Sequence, residues 1–152
     1  MSDVVTNGRF LRATPTGLHR TARSLLTAAR RRGFDTEVAV PPGVDDPLAS
    51  TVVGRALPIP RADHAWEQIS LPRHAGHRLV LSLANTAPMA ARRSFMVVHD
   101  LSTLVGPHWF APSMRAYGLA SLAAARRADE LGRSFVLEKP RWDSMYLGTS
   151  AA

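Results

Sequence analysis

Short apolar runs alternate along this chain with amphipathic stripes of helical period, and that alternation limits the folds open to it more than any other feature. Val4-Val5-Thr6 is a β-branched run that breaks at Gly8. From Thr16 the period changes: Leu18, Ala22, Leu25, Leu26 and Ala29 fall on one face of an amphipathic helix. Thr16 is placed to cap its start, and Gly33, after Arg30-Arg31-Arg32, to stop it. Residues 36–40 read as a second strand closed by Pro41-Pro42-Gly43, and residues 41–62, with five of the eleven prolines, as a long irregular loop. Residues 64–71 read as a short helix ended by Pro72, residues 79–83 and 95–98 as apolar strands, and residues 113–129 as a second long helix. Strands alternating with helices predict a three-layer α/β domain with a mostly parallel sheet covered on both faces. Val4, Leu25, Val38, Leu81, Val97 and Leu122 are its expected core residues.

A chain of 152 residues suits one domain. Cysteine is absent, which removes disulfides, thiolate metal sites and a cysteine nucleophile together. No apolar run approaches the roughly 20 residues of a membrane-spanning helix, and residues 1–20 lack the pattern of a signal peptide. The expectation is a cytoplasmic protein, with a peripheral place at the inner face of the membrane as the alternative. The net charge is +7, and Lys139 is the single lysine among 19 basic residues. The arginines are scattered, and their clusters, Arg30-Arg31-Arg32 and Arg126-Arg127, close apolar-periodic segments where a helix C-terminus favours cations. A solvated surface is the leading reading and an anionic membrane or phosphate group the second; nucleic acid is not an expected partner.

In open α/β sheets, ligands bind in the crevice beyond the carboxyl ends of the strands. Three polar groups fall at such ends: Asn7-Gly8-Arg9, Asn85-Thr86 and His99-Asp100. A histidine there is placed to donate a hydrogen bond or exchange a proton near neutral pH, and the competing reading is a half-buried ring bonded to a backbone carbonyl. The segment from Gly8 to Gly17 joins a strand to a helix start, the arrangement that can cradle a phosphate on backbone N–H groups. Its spacing is not that of the dinucleotide glycine motif, although Glu37 lies about where a ribose-binding acid would be expected. His74 and His77 have the spacing of a metal pair, but no acid lies close in sequence and Gly76 intervenes. An exposed loop is expected there, and no metal. Trp109-Phe110 reads as aromatic packing in preference to a sugar-stacking surface.

Together these segments resemble the N-terminal domain of the family 4 glycosyltransferases, which have the GT-B fold. Val5-Thr6-Asn7-Gly8-Arg9-Phe10-Leu11 and Thr16-Gly17-Leu18-His19-Arg20 look like the family's opening strand, loop and helix start. Trp66-Glu67-Gln68-Ile69-Ser70-Leu71-Pro72 is similar to its "WEQ-x-x-LP" element, and Asn85-Thr86-Ala87-Pro88 to its "NTGP", with Ala87 for glycine. Val97-Val98-His99-Asp100, Pro107-His108-Trp109-Phe110 and Ala125-Arg126-Arg127-Ala128-Asp129 complete the series, in order, from Val4 to Asp129.

The resemblance implies a Rossmann-like domain, residues 1–129, forming the acceptor-side half of a retaining, nucleotide-sugar-dependent transferase, with residues 130–152 as a divergent tail. Carried over by motif, Gly8, Thr16, Gly17 and Arg20 would approach the donor diphosphate. His99 and Asp100 would serve the transferring sugar and the charge that develops on it. Asn85 and Thr86 would line the acceptor crevice. The implied partners are a nucleotide sugar, a glycan or lipid-linked acceptor and a C-terminal GT-B half acting in trans; no cofactor or metal is implied. Beyond Asp129 the family's buried strand and its "VS-[ED]-x-S" motif do not recur, and Phe135-Val136-Leu137 is the apolar run available to replace that strand. The family's C-terminal domain has no counterpart in these residues, so the expectation is a fragment, a frameshifted remnant or one partner of a split enzyme. The alternative readings are a binding module or inactive remnant of the same fold, and a basic membrane-surface protein.

Overall fold

The computed structural model of the chain describes residues 2–12, 14–55, 62–99, 107–109, 111, 112, 115, 116, 119 and 134–138. Among these residues six strands form one sheet: β1 (Val4–Asn7), β2 (Glu37–Val40), β3 (Thr51–Val52), β4 (Leu79–Ser82), β5 (Arg93–Val98) and β6 (Ser134–Glu138). Their spatial order is β3-β2-β1-β4-β5-β6, and every neighbouring pair is parallel. The helices α1 (Gly17–Arg31) and α2 (Ala62–Ala75) precede β2 and β4 respectively. This is the parallel α/β architecture expected from the alternation of periods, and it is Rossmann-like, as the resemblance implies.

Side chains alternate across a strand, so β2 and β4 feed two cores. Val38 and Val40 join Phe10, Ala22, Leu26 and Leu83 beneath α1. Val5, Ala39 and Val80 join Val53, Trp66, Leu71 and Ala75 beneath α2. Because β2 is covered on both faces, Val38, Ala39 and Val40 are all inaccessible to solvent, which explains its unbroken apolar run. Burying a side chain the size of Leu26 contributes about 2 kcal/mol. The Trp66 indole donates to the Val53 carbonyl at 2.7 Å, so its one polar atom is satisfied inside the core.

Both ends of α1 follow their sequence signals. Thr16 is the N-cap residue, and His19 folds back to it, with Nδ1 3.2 Å from the Thr16 hydroxyl. At the other end Gly33 takes φ +81°, and Phe34 and Gly33 donate to the carbonyls of Ala29 and Arg30, a Schellman stop.

Several expectations change. Leu25 is 43% exposed and Leu26 takes the core position. Arg23 reaches Asp46 at 2.5 Å and Arg30 reaches Ser50 at 3.1 Å, so the segment after β2 binds that flank of α1 and rolls the helix towards it. Val4 is half-buried, while Leu81 and Val97 pack at the margin of the α1-side core. Pro72 does not end α2: the helix runs on to Ala75, because Leu71 and Ala75 are both buried and packing outweighs the lost hydrogen bond. β5 begins at Arg93, two residues before its apolar run. Phe135-Val136-Leu137 lies within β6, which pairs with β5 in register from Ser94↔Ser134 to Val98↔Glu138. Most of the helix expected at residues 113–129, including Leu122, lies outside the described residues, as does Asp100. Among the described residues, no helix is long and apolar enough to cross a membrane.

Glu37 opens β2 and so sits at the amino ends of the strands, opposite the end where a ribose would bind. Its partners there are Arg78 and His74, the latter at 2.8 Å. His74 is thus on the last turn of α2 and not in a loop, while exposed His77 faces Arg92. Burial alone would raise the Glu37 pKa, but hydrogen bonds from Arg78, Thr51 and His74 outweigh it and lower the carboxyl to about 2. A carboxyl lowered on folding stabilises the fold above its unfolded pKa, and that contribution fades as pH falls through the folded value. Stability should therefore decline between about pH 4.5 and 2, by about 1–2 kcal/mol once solvent screening is allowed for. Urea midpoints for wild type and Glu37→Gln across that range test this. Identical acid dependence in the two proteins would rule it out.

Candidate functional site

The strand order reverses between β1 and β4. The chain builds outward from β1 to β3, then returns to start β4 on the other side of β1. A sheet of this kind leaves a crevice beyond the carboxyl ends of the strands at that switch point. The sequence places a polar group at each of the three strand ends that border it.

β1 ends at Asn7, whose side-chain oxygen accepts from the Arg9 N–H at 3.3 Å and starts a single 3-10 turn, Gly8–Leu11. The Asn7 amide donates to Glu67 Oε1 at 2.5 Å and to Ser82 Oγ at 3.3 Å. Glu67 comes from α2 and is completely buried, as is Ser82 at the end of β4. Thr86 donates to the same Glu67 oxygen at 2.9 Å. Arg9 closes the set: its Nη2 donates to Thr86 Oγ1 at 2.7 Å, and its Nε lies 3.4 Å from Glu67 Oε2. A buried carboxylate is costly unless paired and hydrogen-bonded, and Glu67 is both.

A second set joins β4 to β5. Asn85 sits in the left-handed region, φ +57°, which asparagine tolerates better than other side chains. That turn points its Oδ1 at the His99 N–H, 2.6 Å away, while its own N–H donates to Val97 at 3.3 Å. His99 follows β5 directly, and its Nε2 lies 2.7 Å from the Leu83 carbonyl. A carbonyl only accepts, so Nε2 carries the proton. Nδ1 is neither bonded among the described residues nor buried, so it remains the ring atom open to a ligand. The ring thus has the carbonyl bond of the structural reading and a free nitrogen at the crevice.

The expected site residues therefore separate. Asn85, Thr86 and His99 come together at the carboxyl ends of β4 and β5, with the Asn85 oxygen and the Thr86 hydroxyl already engaged inside the protein. Thr16, Gly17 and Arg20 lie together at the exposed start of α1, where a side chain added at Gly17 would meet nothing within 4 Å. Gly8 is buried against β2: a Cβ there would lie 2.5 Å from the Ala39 carbonyl oxygen and 2.7 Å from Val40 Cγ1. The need for glycine at position 8 is thus explained by strand packing. Trp109 is 68% exposed, touching His108 edge to face, so it does not pack in the core. Among the described residues no group of His, Asp and Glu is arranged to hold a metal ion.

Glu67 and Ser82 are the members of the site that the sequence did not single out, while Asn7 and Arg9 were placed at the crevice only as a polar strand end. The signal for Glu67 was its position: it shares the 67-71-75 stripe of α2 with Leu71 and Ala75, an acid on an otherwise apolar line.

Fold and crevice define a Rossmann-like α/β domain with a polar site at its switch point. Comparison with protein-family models, curated proteins and solved structures finds no match to this chain.

Proposed function

We propose that this domain is the acceptor-side half of a retaining, nucleotide-sugar-dependent glycosyltransferase of the GT-B type, with its reacting sugar bound at the crevice beyond β1, β4 and β5. The single observation that carries the reading is the meeting of the motif residues at the switch point, where Arg9, Glu67, Asn85, Thr86 and His99 form two linked sets. Four separate stretches of sequence supply them, and the GT-B resemblance rests on those same stretches.

In this reading the Gly17 end of α1 offers backbone N–H groups to the donor diphosphate. His99 Nδ1 accepts a hydrogen bond from a hydroxyl of the transferring sugar. The acceptor is a glycan or a lipid-linked sugar. A surface groove of about 450 Å³ on α1, lined by Arg23, Thr27, Arg31 and Arg32 among others, supports the lipid-linked form and a peripheral place on an anionic membrane. Asn85 and Thr86 being engaged within the protein supports the other reading, a non-catalytic remnant of the same fold.

GT-B catalysis depends on two domains closing over donor and acceptor. The 152 residues alone should bind nucleoside diphosphate sugars at millimolar Kd or weaker, about −4 kcal/mol at best, and show no turnover. Addition of a GT-B C-terminal half should restore transfer, and His99→Ala should then lower kcat more than it raises KM. Calorimetric titration followed by a transfer assay tests both steps. Micromolar affinity or transfer by the chain alone would overturn the two-half mechanism, and no transfer with any tested C-terminal half would favour the remnant.

A further inference from the structure

Arg9 is fixed at one end and open at the other. Its Nε is buried and faces Glu67 at 3.4 Å, and its Nη2 is bonded to Thr86. Nη1 has no hydrogen-bond partner among the described residues and is not a buried atom, so it is the part of the guanidinium that solvent reaches. The side chain as a whole keeps 21% of its exposure. An arginine present only to neutralise a buried carboxylate meets it with two parallel N–H groups. Here the fork is split: one N–H lies near the carboxylate, another is on a threonine hydroxyl, and the remaining edge is free. The nearby Arg12 is committed elsewhere, to Asp63 at 2.7 Å and the Pro42 carbonyl at 3.3 Å.

We propose that Arg9 is an oxyanion-binding residue of the crevice, taking a phosphoryl group on its free Nη1 edge while Glu67 and Thr86 hold the guanidinium still. A planar guanidinium already held in place loses little freedom on binding, and its donors match phosphate geometry. The choice of a phosphoryl ligand rests on the glycosyltransferase reading; the open guanidinium edge does not. Pairing with Glu67 offsets part of the positive charge, so binding of a bare anion is weak.

The test is a titration of the full chain, isotopically labelled for NMR, with inorganic pyrophosphate at constant ionic strength. The Arg9 side-chain Nε–H and the Thr86 amide should shift together and saturate in the millimolar range. Arg9→Gln would remove the ion pair with Glu67 and could unfold the domain, so the comparison is the double variant Arg9→Gln/Glu67→Gln, which should bind at least ten-fold more weakly. Shifts confined to Gly17 and Leu18, no saturable shift at all, or unchanged affinity in the double variant would each overturn the proposal. The two readings separate cleanly. A pyrophosphate response at Arg9 without sugar transfer in the presence of any GT-B C-terminal half keeps this site and removes the glycosyltransferase assignment. Transfer without an Arg9 response removes this site alone.

Discussion

Glu67→Ala should cost the domain about 3–4 kcal/mol, close to the 3–5 kcal/mol typical of breaking a buried ion pair. The Glu67 carboxylate has no solvent exposure and is bonded by Asn7 and Thr86, with Arg9 as its ion-pair partner. Alanine would leave the Asn7 amide, itself only 4% exposed, without its best acceptor. It would also leave a cavity where the buried carboxylate meets Asn7 and Thr86. Arg9 recovers part of the loss, because one edge of its guanidinium already meets solvent. For a domain with a total stability of about 5–15 kcal/mol, the change is large.

Chemistry and volume can be told apart. Glu67→Gln keeps the shape and still accepts from Asn7 and Thr86, but it loses the charge facing Arg9, and about 2 kcal/mol is expected. Replacing both members of a buried pair by apolar residues is often nearly neutral, so Arg9→Met/Glu67→Leu should recover more than half of the alanine loss. Urea unfolding followed by Trp fluorescence and far-UV circular dichroism measures all three. A loss below about 1 kcal/mol for Glu67→Ala would mean that the carboxylate is not the buried partner described here.

What the sequence made legible is what local rules control. β2 was readable because burial on both faces forces an unbroken apolar run, and α1 because Thr16 and Gly33 act through their own backbones. The crevice could be located because polar residues directly after an apolar run mark a strand's carboxyl end, as at Asn7, Asn85 and His99. What failed depended on partners distant in sequence. The roll of α1 that buries Leu26 and exposes Leu25 is set by Asp46 and Ser50, and no periodicity within the helix encodes them. Pro72 is carried through by Leu71 and Ala75 packing on the sheet. Glu37 has plausible chemistry for a ribose but begins its strand, and the parallel register Val5↔Glu37 puts it at the end away from the crevice. Glu67 lies on a helical stripe with Leu71 and Ala75 that Pro72 concealed, and its meaning required β1 and β4 to be beside it.

Gly8→Ala should lower stability by about 3 kcal/mol, at the upper end of what overpacking one methyl group costs. The added Cβ would stand 2.5 Å from the Ala39 carbonyl oxygen, 2.7 Å from Val40 Cγ1 and 3.0 Å from Val38 Cγ1. The two valine side chains lie in the α1-side core, and the oxygen belongs to a strand paired with β1 at Asn7↔Ala39, so none can yield without disturbing the sheet. Gly17→Ala is the matched control. Its new methyl group would meet nothing within 4 Å, and alanine suits a helix better than glycine, so stability should stay within about 0.5 kcal/mol or rise slightly. The pair separates two uses of glycine that look alike in sequence: close packing at position 8 and an open helix start at position 17. Calorimetric unfolding of both variants decides it. If Gly8→Ala is as stable as wild type, strand packing does not explain that glycine, and ligand approach becomes the better account of position 8.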